Sequence, residues 1–431
     1  MLFIVADDLR NSLGAYGDTA VRSPNFDRLA RRGVLFDRAY VQYPVCNPSR
    51  ASILTGLLPE STRVLGNEVF FRTTLPNIVT LPQLLKEHGY FTASLGKIFH
   101  RGGTMEDPRD SWADSVSWSH IRFYQATPKG FQGEGRNLTG GALPWARWLA
   151  ADGTDEDQPD GQIAAEAVRL IEEKRSAPFF IGIGFHKPHD PFIAPKKYFD
   201  LYPLDKIELW RDPPDRSPEE RLAIPNAFQE FKSFTDQDRR EFKRAYLAGV
   251  SFMDAQLGKV LDALDRTGGW DNTVIIFVGD HGYHLGERGW WNKSTLFELS
   301  ARAPLVVYAP RAKGNGRTAR GIVEFVDLYP TLLEMTGLTA PHKLAGTTLT
   351  PLLENPDHAG KQFAYTVVTR GNILGRTIRT DQWRYTEWDG GKAGVELYDH
   401  RTDAGEYHNL ARDARYRTTV ETLKALLNTQ R

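Results

Sequence analysis

Apolar runs that each stop at a chemically loaded residue most limit how this chain can fold. Leu2–Ala6 is apolar throughout and stops at Asp7-Asp8, and residues 273–279 stop at Asp280-His281. An uninterrupted apolar run reads as a strand buried on both faces, which belongs in a mainly parallel sheet covered by helices. Further runs at Val34–Tyr40, 91–95, 179–184 and Leu305–Tyr308 alternate with helical patterns. These helices are expected from Ser23-Pro24 to Gly33, at 80–88, at 162–174, over Asp236–Thr267, and from a capping Asp327 to Gly337. Such alternation predicts an α/β domain. In a parallel sheet the C-terminal strand ends converge on one edge, so Asp7, Asp8, Asp280 and His281 can meet there. Adjacent carboxylates repel one another unless a cation joins them; the bland alternative is a pair of solvated loop residues. Oxygen-rich ligation favours Ca²⁺ or Mg²⁺, with the large, flexible Ca²⁺ shell the better match and His281 an unusual ligand for so hard an ion.

Cys46 is the only cysteine, in the string Tyr43-Pro-Val-Cys46-Asn47-Pro48-Ser49-Arg50, with Leu54-Thr55-Gly56 beyond it. A lone cysteine is ordinarily a small buried apolar residue. Here Pro48 and Ser49 can open a helix, which puts Cys46 just before its positive end, and Arg50 adds a cation one turn on. That setting suits a nucleophile facing an oxyanion. The Cys-x-Pro-Ser-Arg frame resembles the maturation signature of type I sulfatases, which depend on formylglycine. The resemblance implies that a formylglycine-generating enzyme oxidises Cys46 to formylglycine, whose hydrate attacks sulfur. It also implies that Asp7, Asp8, Asp280 and His281 hold the divalent cation that polarises the ester. The implied fold is an alkaline-phosphatase-like sandwich: a large mixed, mainly parallel sheet between helices, with a small C-terminal antiparallel sheet and one helix.

Three more strings carry the resemblance. In Gly96-Lys97-Ile98-Phe99-His100, closest to the iduronate-2-sulfatase branch, Lys97 is implied to contact sulfate oxygens and His100 to hold the formylglycine hydroxyl or accept its proton. In Phe185-His186-Lys187-Pro188-His189-Asp190-Pro191-Phe192, His189 is implied to be the general acid at the leaving oxygen, and His186 to orient the loop. Asp190 stands where that branch carries an apolar residue, and reads either as a sugar-hydroxyl contact or as a solvated turn residue. Lys293 matches the lysine that reaches sulfate and, in the iduronate branch, the substrate carboxylate. Tyr283 replaces a Trp that can wall the sugar pocket. Trp290 and Trp291 read as a stacking platform or, more commonly for paired aromatics, as core.

Of the 431 residues 41% are apolar and 25% charged, enough for a large domain plus a smaller one, expected at 1–345 (catalytic) and 346–431 (C-terminal α+β). Lys plus Arg and Asp plus Glu both number 54, so no global field points to nucleic acid. No apolar run approaches the roughly 20 residues that span a bilayer. Met1 leads straight into the first strand without a signal peptide. Family habit implies a periplasmic or secreted enzyme whose export signal is missing from this sequence. The resulting expectation is a sulfatase acting on a sulfated glycan, with the 2-O-sulfate of a uronic acid as first substrate. The alternatives are another sulfated polysaccharide (ulvan- or carrageenan-like), a phosphodiester or phosphonate monoester hydrolase of the same superfamily, and a non-catalytic glycan binder.

Overall fold

A computed structural model of the protein describes residues 1–100 and 112–430. The central sheet contains β1 (Leu2–Ala6), β2 (Val34–Tyr40), β3 (Phe91–Gly96), β4 (His120–Arg122), β5 (Phe179–Phe185), β6 (Ile275–Gly279), β7 (Leu305–Tyr308) and β8 (Thr318–Glu324). Their order is β8-β2-β7-β6-β1-β5-β3-β4. Only β7 runs against its neighbours; β1, β5, β6 and β3 pair in parallel at the centre.

The apolar run of β1 divides between two cores because successive strand residues point to opposite faces. Leu2, Ile4 and Ala6 pack with helices α1 (Pro24–Arg32), Pro159–Lys174 and Asp236–Thr267 through residues such as Phe26, Ala167 and Leu257. Phe3 and Val5 face the other layer, with Ile53, Leu84 and Leu332 from helices Cys46–Thr55, Leu81–Glu87 and Leu328–Thr336. The strand is therefore sandwiched, as its composition requires.

Register sets where the strands deliver their next residues. Ala6 lies opposite Phe185 on one side and Gly279 on the other, so Asp7, His186 and Asp280 leave the sheet level with one another. Gly96 pairs with Gly184, and the Lys97 amide donates to the Gly184 carbonyl at 3.0 Å.

A second sheet, β9 (Phe363–Arg370), β10 (Ile373–Thr380), β11 (Trp383–Trp388) and β12 (Gly394–Asp399), is antiparallel throughout. Helix Arg417–Asn428 covers it through Leu423 and Leu427, as the sequence leads one to expect. Its core also takes in Tyr43 and Leu296, so this sheet abuts both the loop before Cys46 and the loop after Lys293.

Several local readings change. The edge strand β8 was not anticipated, because a register shift between Ala319 and Ile322 breaks its alternation. Asp327 does not cap the helix after it. Its carboxylate accepts from the Glu324 and Thr347 amides and pairs with Lys361. Residues 101–111 lie outside the described residues; residues 112–158 contribute β4 and two strands, Gly135–Asn137 and Arg147–Ala151, of a separate three-stranded sheet with Phe192–Pro195.

Gly184 lets Lys97 approach the sheet: a Cβ there would overlap the Lys97 backbone. Gly184→Ala should cost about 1–3 kcal/mol of stability, the usual penalty for overpacking, measured by denaturant unfolding. Because Lys97 must shift, activity should fall further than the stability loss alone accounts for.

Candidate active site

The five loops that leave β1, β2, β3, β5 and β6 form one buried cluster. Asp7, Asp8, Asp280 and His281 are all at most 1% exposed. Donor atoms of Asp7, Asp8, Cys46 and His189 lie within 4.8 Å of one another, as do those of Asp7, Cys46, Asp280 and His281. The sheet register thus brings the four sequence-nominated metal ligands and the cysteine together.

Cys46 opens its helix rather than preceding it: the helix runs Cys46–Thr55, with Val45 at the cap. Ser49 does not cap; its hydroxyl donates to the Asp280 carbonyl at 2.5 Å, tying the cysteine helix to the end of β6. The Cys46 sulfur is 3.2 Å from Lys293 Nζ, 3.3 Å from His281 Nε2 and 3.9 Å from Asp8 Oδ1. Burial, reinforced by Asp7, pushes the thiol far up despite Lys293 and Lys97. Left as cysteine, the group stays a neutral thiol and a poor nucleophile.

Arg50 does not face the sulfur as a free cation. Its Nε donates to Asp280 Oδ2 at 2.9 Å, one terminal nitrogen lies 3.4 Å from Asp7 Oδ1, and the other donates to the Lys97 and Ile98 carbonyls. One guanidinium thus fixes two carboxylates and the lysine loop, which suits its planar fork. Lys97 pairs with Asp7 Oδ2 at 2.5 Å, and Lys293 pairs with Asp8 Oδ1. Burial alone would raise Asp7; Lys97, His189, Arg50 and Lys293 outweigh it and hold the carboxyl well below its usual range. Asp8 is likewise lowered against burial by His189, Lys293 and His281.

The unpaired atoms of this donor set suit a divalent cation. Asp7 Oδ1 and Asp8 Oδ2 are buried and accept no hydrogen bond from the described residues. Orphaned carboxylate oxygens on neighbouring residues, with Asp280 beside them, fit a hard cation. His281 Nδ1 faces the Gly282 carbonyl at 2.9 Å; as donor there, it leaves the Nε2 lone pair aimed at the cluster, 3.3 Å from Asp8 Oδ1. Burial keeps that imidazole neutral by pushing its pKa down.

The other nominated residues surround this centre. His189 Nε2 is 3.9 Å from Asp8 Oδ2, while Nδ1 meets the Asp190 carbonyl at 2.5 Å. His186 holds the loop, as expected: its amide and Nδ1 both bond Asp160 Oδ1, at 2.8 and 3.2 Å. His100 has a buried Nδ1 without a hydrogen-bond partner, and burial, then Lys97, pushes its pKa down to about 2, so it is a neutral base. It lies on the Lys97 side and is not among the groups clustered at Cys46.

Asp190 is not a solvated turn residue: its side chain is 10% exposed, 3.6 Å from His189 Nδ1, and burial raises its pKa. Tyr283 does not wall a pocket. It is wholly buried, stacks on Tyr246 and donates to the Trp291 carbonyl. Trp290 and Trp291 pack on Phe228, Phe231, Phe234 and Phe242, the core reading.

Sequence reasoning missed Tyr246, whose hydroxyl donates to the Asp8 carbonyl at 2.7 Å, and Asp160, which organises the His186–His189 loop. Both sit in helices whose regular pattern gives no sign of a polar task. A second acidic group, Glu298, His400 and Glu406, is not a metal candidate, because Arg384 and Arg379 already neutralise it.

The comparisons with known proteins agree with this geometry. The family model described as Sulfatase matches residues 1–338, and that described as N-sulphoglucosamine sulphohydrolase, C-terminal, matches 286–431. Mouse (Mus musculus) iduronate 2-sulfatase is 33% identical, over 98% of this chain and 93% of its own length. A sulfatase of Formosa agariphila is 32% identical, over 99% of this chain and 86% of its own. The solved structure of a phosphonate monoester hydrolase from Silicibacter pomeroyi superposes with a TM-score of 0.81 at 22% identity, covering 100% of this chain and 94% of that one. At that identity it establishes the fold, an alkaline-phosphatase-like sandwich.

Arg50→Met strips the fork from two buried carboxylates and should cost about 3–5 kcal/mol, the penalty for breaking a buried ion pair. Arg50→Lys should cost less, because the charge remains and only the planar geometry is lost. Denaturant unfolding of the three proteins checks that order.

Proposed function

Because this chain belongs to the sulfatase family and is a sulfuric ester hydrolase, we propose that it removes sulfate from glycans, with the 2-O-sulfate of a uronic acid as its substrate group. The observation that carries this reading is Cys46 at a buried helix start, 3.2 Å from Lys293 Nζ and beside three buried aspartates. The uronate assignment is supported by the iduronate 2-sulfatase relative and by the Gly-Lys-x-Phe-His string at Gly96–His100. The same reading divides the chain into a catalytic part, 1–345, and a C-terminal part, 346–431.

Asp7, Asp8, Asp280 and His281 would hold Ca²⁺, or Mg²⁺ as second choice. That cation would supply positive charge at the sulfate oxygens, and residue 46, converted to formylglycine by its maturation enzyme, a hydrated aldehyde nucleophile. The remaining work falls to side chains of this chain. Lys97 and Lys293 bring ammonium groups to the site and offset charge that builds on the sulfate oxygens. Arg50 positions Asp7 and Asp280 and does not touch substrate. His189 donates a proton to the leaving alcohol oxygen, oriented through Nδ1 by the Asp190 carbonyl. His100, which the resemblance places at the residue-46 hydroxyl, is assigned to hold that hydroxyl or accept its proton, although burial makes its imidazole a weak base. The setting is periplasmic or secreted; among the described residues no helix is long and apolar enough to cross a membrane.

A second reading, another sulfated polysaccharide, draws on Asp190. Its buried carboxylate beside His189 disfavours a second carboxylate on that side of the sugar and favours a hydroxyl.

The test is sulfate release from a disaccharide bearing a 2-O-sulfated uronate, using protein co-expressed with a formylglycine-generating enzyme. Release should vanish in Cys46→Ala and fall about 10²–10⁴-fold in His189→Ala. No release, from protein whose Cys46 peptide mass shows conversion, would sink the uronate assignment and send the search to other sulfated polysaccharides.

A further inference from the structure

Arg370 ends β9, where the C-terminal sheet meets the active-site loops. Arg370 is half-buried and its hydrogen bonds all go to backbone: Nε donates to the Leu222 carbonyl at 3.2 Å, and the two terminal nitrogens to the Thr369 and Ser294 carbonyls at 3.1 and 2.5 Å. Among the described residues no carboxylate pairs with it. The carboxyl that bears on it electrostatically, Glu396, instead accepts from Trp388 Nε1 and Tyr398 and is pushed up by burial to about 7. Burial without a counter-charge pushes the arginine below its ordinary value. This is unusual here, since the buried arginines of the C-terminal sheet, Arg376, Arg379 and Arg384, face Glu387, Glu298 and Glu406. A guanidinium has five N–H donors, so three single bonds to carbonyls leave two unspent.

Its position ties it to both active-site loops. Ser294, whose carbonyl Arg370 holds, follows Lys293 directly, and the Ser294 amide donates to the Pro44 carbonyl at 3.1 Å, two residues before Cys46. Thr369, the preceding residue, receives Tyr43 through its hydroxyl and its amide, at 2.9 Å each. Arg370 therefore sits on the joint between the cysteine loop and the Lys293 loop, pinned in place, with the Trp388 ring 5.3 Å from its guanidinium carbon and no carboxylate paired with it among the described residues.

We propose that Arg370 is an oxyanion subsite at the rim of the active site, which binds a second negative group of the glycan, a carboxylate or a further sulfate. The subsite deepens the reading of a sulfated-glycan substrate: Asp190 repels a second anion on the His189 side, and Arg370 receives it on the Lys293 side. A guanidinium takes either group in the same planar, two-point manner.

The test uses 4-nitrophenyl sulfate, a single-anion substrate, as reporter with the converted full-length protein. Inhibition is measured with an unsulfated uronate disaccharide, its carboxyl-reduced counterpart, and a carboxyl-reduced disaccharide carrying one sulfate. Native protein should be inhibited by the two anionic sugars and about tenfold less by the neutral one. Arg370→Gln should raise the inhibition constants of the anionic sugars about tenfold more than it raises the reporter KM or the neutral sugar's constant. Arg370→Lys, which keeps charge without the fork, should fall between native and Arg370→Gln, and serves alone if the glutamine variant does not fold. Preference for the carboxylate over the sulfate sugar, or the reverse, identifies the anion. An equal loss for anionic sugars, neutral sugar and reporter would mean a purely structural clamp and overturn the proposal, as would absence of anion-dependent inhibition of native protein. The reporter needs no uronate sulfate, so the subsite stands or falls separately from the 2-O-uronate assignment.

Discussion

Asp7, Asp8 and Asp280 share one end of a parallel sheet, at most 1% exposed, and like charges that close in a low dielectric cannot all remain ionised without positive charge among them. Most of the surrounding structure answers that constraint. Arg50 bridges Asp7 and Asp280, Lys97 meets Asp7, and Lys293 meets Asp8, so each carboxylate has a cation supplied by a different loop. Among the described residues two of these carboxylate oxygens still lack a hydrogen-bond partner, and those atoms fit a metal ion. Burial, reinforced by Asp7 and opposed by Lys293 and Lys97, pushes the unmodified Cys46 thiol up, which disfavours a thiolate there.

The sheet makes this crowding reproducible. Because β1 pairs in flush register with β5 and β6, the first residue past each strand emerges at the same height, and the site is an outcome of hydrogen-bond register more than of loop conformation. A slip by one residue would turn these side chains to the opposite face, so burial on both sides of β1 also protects the chemistry. The C-terminal sheet adds a second constraint. Through Tyr43, Thr369 and Arg370 it grips the loops that carry Cys46 and Lys293, which makes it a wall of the site and not an appendage.

What the sequence made legible follows the same logic. Apolar runs marked the buried strands, and the residues at their ends marked the ligands, because a parallel sheet converts position along a strand into position in space. Arg50 was read as a cation near the nucleophile, and its commitment to Asp7 and Asp280 could not be foreseen, since partner choice depends on which loops lie across the cavity. Tyr246 and Asp160 were invisible, embedded in helices whose spacing is explained by packing alone. Arg370 looked like any strand residue; only the absence of a carboxylate among its described neighbours sets it apart. Asp190 and Tyr283 are both buried: one is a carboxyl beside His189, the other a ring stacked on Tyr246.

The central matter is whether the carboxylate cluster holds a divalent cation. Calorimetric titration of Ca²⁺ into chelator-stripped protein addresses it most directly, with Asp8→Asn run in parallel. Saturable binding at a single site, raising the thermal midpoint of the native protein and strongly weakened in the variant, is the predicted result. Absence of binding heat and of any thermal shift in native protein, for Ca²⁺ and for Mg²⁺ alike, would contradict the account: the lysines and Arg50 alone would then balance the three aspartates.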